Sequence, residues 1–141
     1  QMRGEFQGAL VIDDYGHHPT EVAATLSALK QIYPTRRLVV AFQPHRFSRT
    51  QMCWDQFLKC FSQADVVGVI DIYPAGENPI ADVSSARLAG EIAKQHTKSE
   101  YWGDLAAAQM KARQTLKKDD VFLTLGAGDI WKLGPQLIGV K

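Results

Sequence analysis

Nine consecutive residues, Asp13-Asp14-Tyr15-Gly16-His17-His18-Pro19-Thr20-Glu21, gather three carboxylates, two imidazoles and a phenol. An apolar run, Ala9-Leu10-Val11-Ile12, leads into them, and Val22, Leu26, Leu29 and Ile32 follow at helical spacing. The cluster therefore sits where a strand passes into a helix, with Pro19 suited to the first helical turn because its missing N–H is not needed there. Groups of this kind exchange protons, ligate metals or hold a polar ligand. A turn alone requires none of them.

A second stretch, Gln43-Pro44-His45-Arg46-Phe47-Ser48-Arg49, follows the apolar run Leu38-Val39-Val40-Ala41-Phe42. If a helix starts near Arg46, the spacing of three puts both guanidiniums on one side. Paired guanidiniums match the two oxygens of a carboxylate or phosphate. Cations at a helix N-terminus oppose the macrodipole, so the pair calls for a compensating anion; the plain alternative is two solvated arginines. Asp13, Asp14, His17, His18 and His45 are also metal-type ligands, although the adjacent imidazoles His17 and His18 diverge in most backbones, which leaves one of them to cap the helix. Gly126-Ala127-Gly128 opens like a dinucleotide fingerprint, but Trp131 occupies the third glycine position and the pattern fails. Those glycines still permit close approach of a ligand, with Asp129 read as a helix cap. Glu77, in Tyr73-Pro74-Ala75-Gly76-Glu77, is a turn carboxylate at a strand end. No G-x-x-x-x-G-K-[ST] run occurs, so the main phosphate cradle for any ATP lies outside this chain.

The elements that must position these groups alternate. Strands are expected over Phe6–Ile12, Leu38–Phe42, Val66–Ile70, about Glu100–Trp102, and Val121–Leu125. Helices are expected over Thr20–Tyr33, Ser48–Ala64 (Met52, Phe57, Leu58 and Phe61 inward), after Ser84-Ser85, over Leu105–Leu116, and over Asp129–Ile138. Lys117-Lys118-Asp119-Asp120 reads as a solvated turn. Strands separated by helices imply βαβ units: an α/β three-layer sandwich, mostly parallel and doubly wound (Rossmann-like), with helices on both faces of the sheet. Such sheets bind ligands at the carboxyl ends of their strands, where all four unusual loops would meet.

The chain of 141 residues is one domain by length, with a net charge of +1. That charge gives no support for nucleic-acid or anionic-membrane binding. No apolar run nears the roughly 20 residues of a membrane span. The polar opening, Gln1-Met2-Arg3-Gly4-Glu5, reads equally as a cut inside a longer protein or as an ordinary short N-terminus. Cys53 and Cys60, seven apart in a predicted helix, would lie roughly 10 Å apart along the axis. That exceeds the ~7 Å limit for a disulfide and suits a reducing cytoplasm.

Taken together, Asp13–Glu21, Gln43–Thr50, Tyr73–Glu77 and Gly126–Asp129 resemble the C-terminal domain of the Mur ligases, over nearly the whole chain. Within that family the branch joining L-alanine to UDP-N-acetylmuramate is the nearest. The resemblance implies a three-domain cytoplasmic enzyme of peptidoglycan synthesis whose N-terminal domain holds the UDP-sugar. Its central domain binds most of the ATP and Mg2+, and its C-terminal domain closes over them with the amino acid. The sugar carboxylate becomes an acyl phosphate that the alanine amine attacks. By the same resemblance Asp14 contacts the ATP ribose, and Tyr15, His17, His45, Arg46 and Arg49 form the alanine end of the site. Asp13, Glu77 and Asp129 complete the candidates, no metal is assigned to this chain, and the chain alone should be inactive. Other readings stay open. They are the ligase that recycles a whole tripeptide onto the same sugar, a metal-dependent phosphohydrolase built on the Asp/His cluster, and a non-catalytic nucleotide- or anion-binding module.

Overall fold

The structure, a computed structural model, describes residues 1–139. The chain opens with a hairpin where one strand, Phe6–Ile12, was expected. Strand β1 (Met2–Phe6) turns through Gln7 and Gly8 into β2 (Ala9–Asp14). Both turn residues have positive φ, 50° and 86°, the backbone that matches the twist of a tight hairpin. Helix α1 (Pro19–Ile32) leads to β3 (Leu38–Phe42), then α2 (Phe47–Met52), α3 (Trp54–Lys59) and β4 (Val66–Ile70). After these come α4 (Ser85–Ala93), β5 (Lys98–Gly103), α5 (Leu105–Thr115), β6 (Val121–Leu125), a 3-10 turn (Asp129–Lys132) and α6 (Leu133–Ile138).

The six strands form one sheet in the order β1-β2-β6-β3-β4-β5. Only the edge strand β1 is antiparallel; β2, β6, β3, β4 and β5 pair in parallel. Strands β3, β4 and β6 are buried along their whole length, as continuous apolar runs in a parallel sheet must be. On one face Val22, Leu26, Phe57, Phe61, Leu88 and Ile92 pack against Val40, Phe42 and Leu123. On the other, Ala108, Ala112, Leu116, Ile130, Leu133 and Leu137 cover Val39, Ala41 and Phe122. The architecture is the expected α/β three-layer sandwich with helices on both faces.

Two expectations fail for physical reasons. The single helix over Ser48–Ala64 is interrupted at Cys53. The buried stripe runs Cys53, Phe57, Cys60, Phe61, Ala64, which puts Met52 one position off it and 84% exposed; Leu58 is only half-buried. The turn at Lys117–Asp120 is not uniformly solvated either. Asp120 is buried, accepts hydrogen bonds from Arg37 Nε (3.1 Å) and Nη2 (2.7 Å) and from the Lys117 amide (2.8 Å), and so ties the start of β6 to that of β3. The free thiols Cys53 and Cys60 are both buried, and burial pushes the Cys60 thiol up to about 12.

Candidate functional site

Because β6 lies between β2 and β3, the loops that follow β2, β3, β4 and β6 open at one edge of the sheet. The strand pleat sends Asp13 and Asp14 to opposite faces. Asp13 accepts from Thr124 Oγ1 (2.7 Å) and pairs with Arg3 (3.4 Å), a tie between strands. Asp14 Oδ2 accepts from the Gly16 amide (3.2 Å) and Thr25 Oγ1 (3.1 Å), so the turn and α1 both fix its direction.

His18 is the N-cap of α1: its Nδ1 accepts from the Thr20 amide (3.2 Å). Glu21 returns the bond, its Oε1 accepting from the amides of His18 (3.0 Å) and His17 (3.2 Å). Those two amides hold the Glu21 carboxyl below its ordinary range. The capping box leaves His17 free to turn outward. Its Nδ1 lies 3.4 Å from the Tyr15 carbonyl oxygen and 3.8 Å from Glu21 Oε1. Tyr15 is 70% exposed and meets the His17 ring edge-on at 6.1 Å.

The loop after β3 is held by its neighbour. His45 and Tyr73 form a parallel bridge and their rings stack at 5.5 Å, 12° apart. Tyr73 donates its amide to the Pro44 carbonyl (2.9 Å), and Arg46 donates its amide to Tyr73 (2.8 Å). On its other side His45 lies 5.7 Å from the His17 ring. Its Nδ1 is buried with no partner among the described residues. Burial first, then the charges of His17, Arg49 and Arg46, push the His45 imidazole down, which favours its neutral form.

Arg46 has φ 72°, a left-handed backbone that a non-glycine residue adopts only when its surroundings enforce it. The fully buried Thr50 supplies part of that enforcement: its hydroxyl donates to the Arg46 carbonyl at 2.7 Å and its amide at 3.2 Å. Removing the hydroxyl without changing shape, Thr50→Val, is expected to weaken whatever Arg46 binds by roughly fivefold, in line with about 1 kcal/mol for one hydrogen bond. Thr50→Ser should retain binding. Equal affinity in wild type and the Val variant, by titration calorimetry with the ligand of Arg46, refutes that role.

Glu77 has a more specific place than a surface turn acid. Its carboxylate accepts from the Ser48 amide (2.9 Å) and hydroxyl, which holds its pKa down. It is therefore an anion at the start of α2, a compensation supplied from within the chain. Arg46 and Arg49 nevertheless pair with no carboxylate among the described residues. Asp129 is not a helix cap: its Oδ1 accepts from Gln43 Nε2 (2.7 Å) while Gln43 Oε1 accepts from the Ile130 amide (3.1 Å). Gly128 serves packing too, since a Cβ there would lie 2.5 Å from the Tyr73 ring and 2.6 Å from Gln43 Oε1. The backbone approach expected toward a ligand is made to the protein's own loops.

Tyr15, His17, His45, Arg46 and Arg49, with Met52 at the rim, line one depression of about 540 Å³. Asp13, Asp14, Glu77 and Asp129 lie outside its lining. Asp129 instead lines a cavity of about 420 Å³ with Gln43, Tyr73, Asp71 and Asp104. Sequence reasoning did not single out Gln43, Thr50, Ser48 and Tyr73 for these roles, although all four fall inside the quoted stretches. Thr25 carried no signal at all. Among the described residues no three His, Cys, Asp or Glu side chains converge as metal ligands. The phosphohydrolase reading therefore lacks a converging ligand set among the described residues.

Fold and loops together define a doubly wound α/β domain with a cationic, imidazole-lined depression at the carboxyl edge of its sheet. The family described as "Mur ligase, glutamate ligase domain" matches residues 1–128. The chain belongs to that family. It is 53% identical over 137 residues to the UDP-N-acetylmuramate–L-alanine ligase of Bdellovibrio bacteriovorus, covering 97% of this chain and 30% of that protein. The enzyme of the same name from Geobacter sulfurreducens is 52% identical over 139 residues, with 98% and 30% covered. The chain thus spans about 30% of the length of these relatives. Among solved structures, the UDP-N-acetylmuramate–alanine ligase of Thermotoga maritima superposes with a TM-score of 0.76 at 25% identity, over 94% of this chain and 26% of that one.

Proposed function

We propose that this chain is the C-terminal domain of a cytoplasmic ligase that joins L-alanine to UDP-N-acetylmuramate in peptidoglycan synthesis. The UDP-sugar site and the P-loop then belong to other domains of the longer protein. ATP activates the sugar carboxylate as an acyl phosphate, and this domain delivers the amine. The observation that carries the reading is the pair of guanidiniums, Arg46 and Arg49, at one depression with no carboxylate partner of their own among the described residues. An amino-acid carboxylate supplies that partner in the bidentate geometry a guanidinium favours. Relatives about half identical that carry the alanine ligase name support the same choice.

In this reading Asp14, aimed by Gly16 and Thr25, contacts the ATP ribose through its remaining oxygen, and Tyr15 closes the outer wall of the alanine site. Magnesium is held by the rest of the enzyme, and no step on this domain runs through it. Bringing amine and acyl phosphate to attack distance contributes on the order of 7–11 kcal/mol at best. The alanine methyl offers little to grip, since one methylene discriminates by only ~1–3 kcal/mol, so glycine and serine should be weak substrates.

The test is ADP release by the full-length protein, with and without UDP-N-acetylmuramate, across L-alanine, glycine, L-serine and the L-alanyl-γ-D-glutamyl-diaminopimelate tripeptide. Release that needs the sugar and is fastest with L-alanine supports the assignment. Release driven by the tripeptide moves the protein to the recycling ligase, and absence of turnover removes the ligase reading altogether.

A further inference from the structure

Of the three imidazoles that line the depression, His18 caps α1, while His17 and His45 lie 5.7 Å apart, and the surroundings of these two differ in a way that fixes where each carries its proton. His17 Nδ1 faces two acceptors, the Tyr15 carbonyl at 3.4 Å and Glu21 Oε1 at 3.8 Å. An acceptor beside Nδ1 places the proton there and leaves Nε2 with a bare lone pair. His45 is the reverse. Its Nδ1 is buried without a partner among the described residues, so a proton there would be a buried donor with nothing to receive it, beside Arg46 and Arg49. Its proton belongs on Nε2.

From these two environments we infer that His17 Nε2 is the proton acceptor for the incoming ammonium group, while His45 is a fixed neutral donor that does not take a proton. The inference rests on the reading of the depression as the amino-acid site. A proton moves from the ammonium nitrogen to His17 Nε2, which frees the nitrogen lone pair. That pair forms the C–N bond to the acyl phosphate carbon, the carbon–oxygen bond to phosphate breaks, and inorganic phosphate leaves with the electron pair. The second nitrogen proton departs to the phosphate as the amide forms. The imidazolium left on His17 faces the ionised Glu21 of α1 and the Tyr15 carbonyl on one side. His18, His45, Arg46 and Arg49 surround it on the other. Of these, the guanidiniums of Arg46 and Arg49 are the fixed cations that oppose its charge. Glu21, pinned by two amides, is a positioning residue for the His17 ring.

Two experiments separate this from the functional reading beneath it. Long-range 1H–15N correlation spectra of the uniformly labelled chain at pH 8 should show His17 protonated at Nδ1 and His45 at Nε2. A His17 proton on Nε2 overturns the inference whatever the enzyme does. In the full-length protein, His17→Gln should slow amide formation with L-alanine at pH 7 by about a hundredfold, the lower end of general-base effects. The deficit should shrink as pH rises and more of the amine is already neutral. With hydroxylamine, which is neutral at pH 7, the variant should form hydroxamate at nearly the wild-type rate. His45→Gln should show a loss that does not recover with pH. A His17→Gln deficit that is constant with pH and equal for both amines defeats the proton-acceptor role. Failure of the wild type to form any hydroxamate from the UDP-sugar defeats the ligase reading instead and leaves the tautomers standing.

Discussion

In the full-length enzyme, Arg46→Ala is expected to raise the KM for L-alanine roughly 30- to 150-fold and to leave the KM for UDP-N-acetylmuramate unchanged. The magnitude follows from losing a charge-assisted pair worth about 2–3 kcal/mol. Truncation removes one of the two guanidiniums and leaves the main-chain bonds that hold φ 72° against Tyr73 and Thr50 with no charged side chain to present. Arg46→Lys should recover only part of the loss, because an ammonium presents a point charge where the guanidinium presents a fork. The UDP-sugar serves as the control ligand because no group assigned to it lies in this depression. Steady-state kinetics with each substrate varied in turn decides the matter. Equal increases in both KM values would mean that Arg46 holds the domain together and does not hold alanine.

What was legible in the sequence was where chemistry sits along the strands. Apolar runs leading into Asp13, Gln43, Asp71 and Gly126 placed four unusual loops at one sheet edge, and the sheet has that form. The pairing of groups between those loops was not legible, because each pair joins positions far apart in the chain. Glu77 reaches Ser48 across 29 residues, Gln43 reaches Asp129 across 86, and Arg37 reaches Asp120 across 83. Composition marks Glu77 and Asp120 as surface acids; only the folded contacts make one a helix anchor and the other a buried tie. The break at Cys53 escaped for a different reason. No glycine or proline lies between Ser48 and Ala64, so nothing local ends the helix, and the phase of the buried stripe alone explains why Met52 faces solvent. That one histidine of His17-His18 caps the helix was legible from the divergence of adjacent side chains; that it is His18, closed by Glu21 in a capping box, came from the folded backbone.

Gly68→Ala should be the most destabilising single methyl added to this domain. Gly68 is buried in β4, and a Cβ built there would lie 2.0 Å from Trp102 Cδ2 and 2.2 Å from Cε2. Both ring atoms belong to an indole only 1% exposed, packed near Phe122 and tethered through Nε1 to Glu100 at 3.0 Å. The ring must move by more than an ångström to reach ordinary contact, into a layer already filled by Ala108 and Ala112. Overpacking of that kind costs typically 1–3 kcal/mol and occasionally more. About 3 kcal/mol is expected here, a large part of a domain's total stability of roughly 5–15 kcal/mol. The melting temperature should fall by roughly 6–12 °C, at about 2–4 °C per kcal/mol for a chain of this size. Calorimetry of the isolated chain measures it. Gly68→Ala combined with Trp102→Leu should lose at least about 1 kcal/mol less than the two single changes summed, because each change relieves the other. Strict additivity would mean that the backbone of β4 yields in place of the indole. Below its melting point the full-length variant should keep the wild-type KM for L-alanine, since neither Gly68 nor Trp102 lines the depression.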